Sequence, residues 1–298
     1  MTALLTAIAP VSLIIVIGFV VGRTLDLDGK TLSQLIIYIL FPALIASSLY
    51  RTTLSAQSTV GLVAGFAIAS LVLYLIVLGL GKIFNLTPNT QKSLVATTLF
   101  ANTGNLGLPL ITFTLGEAGL ERAVVYLIAA SILIVGVGPA LLKGDGIKAG
   151  MQLTFKLPMF WAMLGGIFLR LFAIKLPLRL DEGIALLGSA AIPIALIMLG
   201  MQLAQTRFEF GRYEIGAAGL RLLVAPLVAC GIGHLLRLEG LDLQVLVMQG
   251  AMPTAVNTIV WVSQFGGDTP RVARTILVST LMSFLTLPMM LRISSLWL

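Results

Sequence analysis

The polar side chains best placed to do chemistry away from water stand in two short phrases inside apolar segments. Asn102, Thr103 and Asn105 lie in LFANTGNLGLPLI (99–111), and Thr254 and Asn257 lie in MQGAMPTAVNTIVW (248–261). Amides and hydroxyls are neutral donors and acceptors, so the chemistry they offer is recognition of a ligand. Gly104, Gly107, Pro109 and Pro253 accompany them, and these residue types break helices. In hydrocarbon an unpaired backbone group is costly, so a break survives only where protein or a water-lined cavity supplies partners. Each broken segment is expected to restart as a half-helix near Pro109 or Pro253, because proline fits the first turn of a helix. Two half-helix N-termini would present free N–H groups and partial positive charge, an arrangement that attracts an anion. A single kink can serve packing alone; a matched pair, one in each half of the chain, points to a binding site.

Arg221 is the charged side chain that falls well inside an apolar segment. Its sign suits an anionic ligand, while its depth is within reach of a side chain that snorkels to the interface or serves a structural role, so these readings stay open. All twelve Asp and Glu residues fall in connections or at segment ends. That disfavours a carboxylate-based sodium site or proton relay, although carbonyl oxygens with Thr and Asn could still hold sodium; the coupling ion, sodium or proton, is left open. His234, the one histidine, ends an apolar segment and reads as interfacial, while the single Cys230 excludes a disulfide within the chain. With one His, one Cys, no acid pair inside the apolar segments and no phosphate-binding glycine loop, no enzyme, metal or cofactor is expected. Gln202, Gln244, Gln249 and Gln264 could line a pathway, but polar contact between helices is the simpler role.

The elements that must position these residues are membrane helices. Hydrophobic residues make up 58% of the chain and charged residues 10%, and the mean hydropathy is +1.05, which places it among integral membrane proteins. The net charge of +7 is spread over short connections instead of a patch, which argues against a nucleic-acid partner. Apolar runs near 3–22, 31–50, 57–81, 93–115, 120–142, 157–174, 183–204, 213–236, 243–265 and 272–291 predict ten spans in an all-α fold. The glycine-rich, basic connection 143–156 separates a first set of five, 1–142, from a second, 157–298. Pro42 with Pro193, Asn102 with Pro253 and Glu117 with Asp268 recur at one offset, and an odd number of spans per copy makes the repeats inverted. Lys and Arg are denser in the connections after odd-numbered spans, which predicts those connections inside and both termini outside the cytoplasmic membrane. Pro42 and Pro193 are expected to kink their helices, and LGGIFL (164–169) to pack closely on a neighbour.

NTGNLGLPL in the fourth span, AMPTAVN in the ninth, the FGGD after it and VSTLMSFLTLP (278–288) in the tenth resemble the auxin efflux carrier family. That family includes bacterial permeases for small carboxylates and the plant PIN-type auxin exporters. The resemblance implies two inverted five-helix repeats whose spans 4 and 9 cross at their breaks. It also implies a scaffold of spans 1, 2, 6 and 7, a mobile transport domain of spans 3–5 and 8–10, a homodimer and elevator-like movement. The more distant bile acid and sodium symporters share the crossover plan. The expected function is secondary transport of a small organic anion; a sodium-coupled symporter of the bile acid type or a passive channel are the competing readings.

Overall fold

The computed structural model describes residues 2–143, 147–205 and 211–295, and the side chains of 9–142, 150, 152–205 and 211–295. The described residues are helical, with one isolated antiparallel bridge between Ala101 and Thr254. Among the described residues six helices are long and apolar enough to cross a bilayer: Gly29–Arg51, Ala56–Ile83, Thr103–Leu142, Pro177–Gln205, Arg212–Leu235 and Thr269–Ser294. Shorter apolar helices, among them Ala9–Thr24 and Pro158–Leu171, accompany them. With the composition, they make the chain an integral membrane protein.

Proline sets much of the helix geometry. Inside a helix its ring meets the carbonyl four residues back, and it has no N–H to give. Pro42, Pro109, Pro139 and Pro226 each lie two residues beyond a five-residue π turn, respectively Ile36–Leu40, Thr103–Gly107, Leu133–Val137 and Leu220–Val224. The carbonyl that each ring would meet, of Tyr38, Asn105, Val135 or Leu222, belongs to the π turn, whose wider winding moves it aside. At Pro193 the helix instead breaks at Ala190, between Leu180–Ser189 and Ala191–Gln205. The kinks expected at Pro42 and Pro193 thus take two different forms.

Between the predicted fourth and fifth spans helix runs from Thr103 to Leu142, interrupted at Gly116, whose φ of 66° and ψ of −164° need a residue without Cβ. The predicted loop 143–156 contains a helix, Ile147–Thr154. Its glycine serves close packing: a Cβ at Gly150 would lie 1.9 Å from the carbonyl oxygen of Gly136. Residues 144–146 of that connection and Arg207 lie outside the described residues, as do the side chains of Lys143 and Lys148.

The chain divides into two units. The first comprises Met1–Ser55, Gly104–Val124 and Gln152–Thr206. Its main contact sets Thr2–Thr24 against Ala191–Gln205 through reciprocal glycines. A Cβ at Gly18 would lie 2.2 Å from Ile197 O, and one at Gly200 would lie 2.1 Å from Ile15 O. Backbones that approach so closely gain dispersion contacts along both helices, the main attraction left where lipid removes the hydrophobic drive. In LGGIFL only Gly166 does this work, its Cβ position 2.8 Å from Ala46 O, while Gly165 faces open space. Polar groups close the same unit: Glu121 Oε2 accepts from Thr52 Oγ1 at 2.8 Å and Thr53 N at 3.1 Å, and Arg51 pairs with Asp181 at 2.9 Å.

The second unit comprises Ala56–Thr103, Val125–Met151 and Arg207–Leu298. A core of Leu73, Val77, Leu94, Leu99, Phe100, Leu142, Val262 and Val272 fills it, and Phe66 meets Tyr126 edge to face at 4.8 Å between centroids. Within this unit both candidate phrases are interrupted.

A candidate substrate-binding site at two paired helix breaks

Pro88–Leu99 begins with Thr87 as its cap and proline in its first turn, and it ends where the chain turns extended at Phe100 (φ −92°, ψ 83°). Helix resumes at Thr103 through the π turn, and Pro109 is the second residue of Leu108–Ile132. In the other phrase Gly240–Gly250 stops, residues 251–257 are irregular, and Thr258–Phe265 follows. The two interruptions satisfy each other's backbone. Asn102 N donates to Pro253 O at 2.8 Å and Ala255 N donates to Phe100 O at 2.8 Å, on either side of the Ala101–Thr254 bridge. Thr254 Oγ1 donates to Thr97 O at 2.7 Å, and Thr254 N donates to Ser279 Oγ at 3.2 Å. The expected restart at Pro253 is therefore corrected to Thr258. Pro253 stands in the extended, paired segment, where a residue that offers a carbonyl and no N–H fits.

Arg221, in the π turn Leu220–Val224, is 3% exposed. Its Nε donates to Met252 O at 2.7 Å, one terminal nitrogen to Thr98 O at 2.7 Å and the other to Gly250 O at 2.5 Å. Thr98 and Gly250 are in the last turns of Pro88–Leu99 and Gly240–Gly250, so one guanidinium fork caps the carbonyl ends of both half-helices. An arginine placed so satisfies acceptors that a helix end leaves orphaned and offsets the negative end of each dipole. Of the readings open in the sequence, snorkelling is set aside: the group is buried among backbone carbonyls, as a structural role requires.

The structure brings Asn102 and Thr254 together through the backbone pairing, and Arg221 joins them through Met252 and Thr98. Asn102 is 3% exposed and its side-chain Nδ2 has no hydrogen-bond partner. Thr103 is buried directly after it. Asn257 is exposed at the start of Thr258–Phe265. Asn105, Gly107 and Pro109 are buried and belong, with Gly104, to the first unit.

Further buried polar side chains lie in the same unit as the pairing, and apart from Gln249 and Gln244 sequence reasoning passed them over. Gln249 is fully buried with neither side-chain polar atom partnered, and Thr98, Thr258 and Thr280 have unpartnered buried hydroxyls. Thr275, Ser279, Ser283 and Thr286 form a buried hydroxyl stripe along Thr269–Ser294. Their spacing of three and four residues is the signal that could have exposed it. Among the described residues Glu214 is the one buried carboxylate; it sits in the first turn of Arg212–Gly219, held by Arg274 Nε at 3.0 Å. Gln244 donates to Ser294 Oγ at 3.2 Å, a contact between helices. The FGGD phrase is a turn with Gly266 and Gly267 at φ 97° and 137°.

The chain matches the family described as "Membrane transport protein", that of the auxin efflux carriers, over residues 3–152 and 146–291. It is 31% identical over 303 residues to an uncharacterized transporter of Methanothermobacter thermautotrophicus, covering 94% of each chain. It is 28% identical to an uncharacterized transporter of Methanocaldococcus jannaschii, covering 93% of this chain and 94% of that one. A protein of Rhizobium meliloti named "Putative malonate transporter" is 23% identical, over 92% of this chain and 90% of its own. The chain belongs to the membrane transport protein family of the auxin efflux carriers, and is a transporter and not an enzyme.

Proposed function

We propose that this chain is a secondary transporter that carries a small organic anion, a carboxylate of the malonate type, across the cytoplasmic membrane by alternating access. The observation that carries the reading is the pairing of two helix breaks with one arginine behind them. The carbonyl ends of Pro88–Leu99 and Gly240–Gly250 each contribute about half a negative charge, so one guanidinium offsets both. What remains at the breaks is the positive end of Thr258–Phe265, the restart at Thr103 and the donor Nδ2 of Asn102. An anion is then held by helix ends and by the amides and hydroxyls of Asn102, Thr103, Thr254 and Asn257, with Asn105 following in the chain. Arg221 positions the site without touching the substrate.

The same reading takes the ten predicted spans as two inverted five-helix repeats. Pro88–Leu99 and Gly240–Gly250 are 12 and 11 residues, about 16 to 18 Å of helix and roughly half of a bilayer core, so the breaks fall near mid-membrane. Spans 1, 2, 6 and 7 then act as scaffold and spans 3–5 and 8–10 as the moving part of an elevator-like carrier. It works as a homodimer with both termini outside. The name of the Rhizobium relative supports a carboxylate.

Proteoliposomes decide between carrier and channel. A carrier loaded with malonate takes up labelled malonate in a saturable manner, stimulated by substrate on the opposite side; non-saturable flux without stimulation refutes it. In parallel, malonate raises the melting temperature of purified protein, whereas malonamide does not. Equal protection by the neutral diamide overturns recognition by charge, and repeating both assays with and without sodium and at two pH values identifies the coupling ion.

A further inference from the structure

A cavity of about 520 Å³ opens on the second unit between the end of Ala56–Ile83 and the helix that starts at Arg212. Its body is apolar, walled by Leu80, Phe84, Leu94, Leu220 and Val224, and its mouth holds Arg212 and Tyr213. Gly216 lies along it, and a Cβ there would meet nothing within 4 Å. The polar mouth coincides with the ends of two candidate membrane spans, Ala56–Ile83 and Arg212–Leu235, while the apolar body runs inward along the second. From Arg212 to Val224 the groove follows about 18 Å of helix. Tyr213 is fixed in place, its hydroxyl donating to Thr90 O at 3.4 Å and its ring lying 4.7 Å from the Arg271 guanidinium carbon.

We infer that this groove binds an anionic phospholipid, one acyl chain lying against Leu220 and Val224 and the phosphate meeting Arg212. The sequence of surfaces, cationic at the span end and apolar below it, matches a lipid in both polarity and direction; a soluble carboxylate would leave the apolar body unmatched. An arginine fork gives a phosphate two parallel hydrogen bonds, and tyrosine suits the headgroup level. The proposal is independent of the transport reading, because neither the groove nor its residues belong to the paired breaks.

Native mass spectrometry of the purified full chain tests it, with phosphatidylglycerol and phosphatidylcholine of identical chains supplied in equal amounts. Wild type is expected to retain phosphatidylglycerol roughly fivefold over phosphatidylcholine, the ratio given by about 1 kcal/mol per basic residue at a lipid surface. Arg212→Gln should bring the ratio near one while leaving chain-dependent retention. Gly216→Leu, whose Cβ enters open space at the groove, should reduce retention of both lipids at an unchanged melting temperature. Equal retention of the two lipids by wild type, or an Arg212→Gln ratio equal to that of wild type, overturns the assignment. So does a Gly216→Leu protein that keeps its lipid or changes its oligomeric mass instead.

Discussion

Replacing Arg221 by methionine keeps a long apolar stem and removes the guanidinium fork. Three buried carbonyls, those of Thr98, Gly250 and Met252, then lose their donor. Stranding a buried acceptor costs about 1–3 kcal/mol each, and the uncovered dipole ends add about 1–2 kcal/mol together. Against this, the variant no longer buries a charge, which returns several kcal/mol. The balance is a loss of roughly 3 kcal/mol, and at roughly 2–4 °C per kcal/mol for domains approaching this size the melting temperature falls by roughly 6–12 °C. Arg221→Lys retains the charge and three donors but not the planar fork, so it falls between methionine and wild type. Thermal unfolding of the three proteins in one detergent reads the effect. A methionine variant that melts within about 2 °C of wild type refutes the capping role, since that is below the shift expected from 1 kcal/mol. A variant that melts normally and loses malonate protection assigns the arginine to the substrate instead.

Asn102→Ala removes a buried amide whose Nδ2 has no partner, so the melting temperature stays near that of wild type while protection by malonate is lost; unchanged protection removes Asn102 from the site. Gly18→Leu drives a side chain into the Ile197 carbonyl and lowers stability by about 1–3 kcal/mol or more, whereas Gly165→Ala, facing open space, is neutral or gains up to about 1 kcal/mol; paired melting curves check both. Asp28 caps Gly29–Leu35, and its bonds from Thr31 Oγ1 and Lys30 N hold its pKa below the usual 3.8. A carboxyl lowered on folding contributes stability above its unfolded pKa that is lost as pH falls through the folded value, so wild type should lose melting temperature below about pH 4 that Asp28→Asn, still a cap, does not lose. Equal acid sensitivity of the two proteins rejects this contribution.

How much of this could be read from residues alone depends on whether a feature is written in side chains or in backbone. The apolar lengths and the two broken phrases were legible because hydropathy and proline act locally. The paired register was not: Asn102 N to Pro253 O and Ala255 N to Phe100 O are backbone contacts 151 to 155 residues apart in the chain, and the backbone carries the same donors everywhere. The restart of the second break at Thr258 instead of Pro253 follows from that pairing, which no local propensity encodes. The hydroxyl stripe from Thr275 to Thr286 was legible in its spacing, yet it could pass for self-bonded hydroxyls. Ser279 and Ser283 do donate to Ile276 O and Thr280 O, at 3.0 and 2.6 Å, and only the fold shows that Ser279 also receives Thr254 N.

Arg221 is the sharpest case, because the sequence left snorkelling, a structural role and anion contact open and could not name the acceptors that a structural role would serve. The acceptors it meets are helix ends. Two membrane helices that stop inside one unit create orphan carbonyls and two negative dipole ends in the same place, and neither lipid nor a neutral side chain can offset both. A cation from a third helix can, and its fork suits carbonyls arriving from different directions. A lone arginine within an apolar span of a chain with two broken helices is therefore to be read first against the helix C-termini. Only if those ends lie out of reach does its charge become available to a substrate.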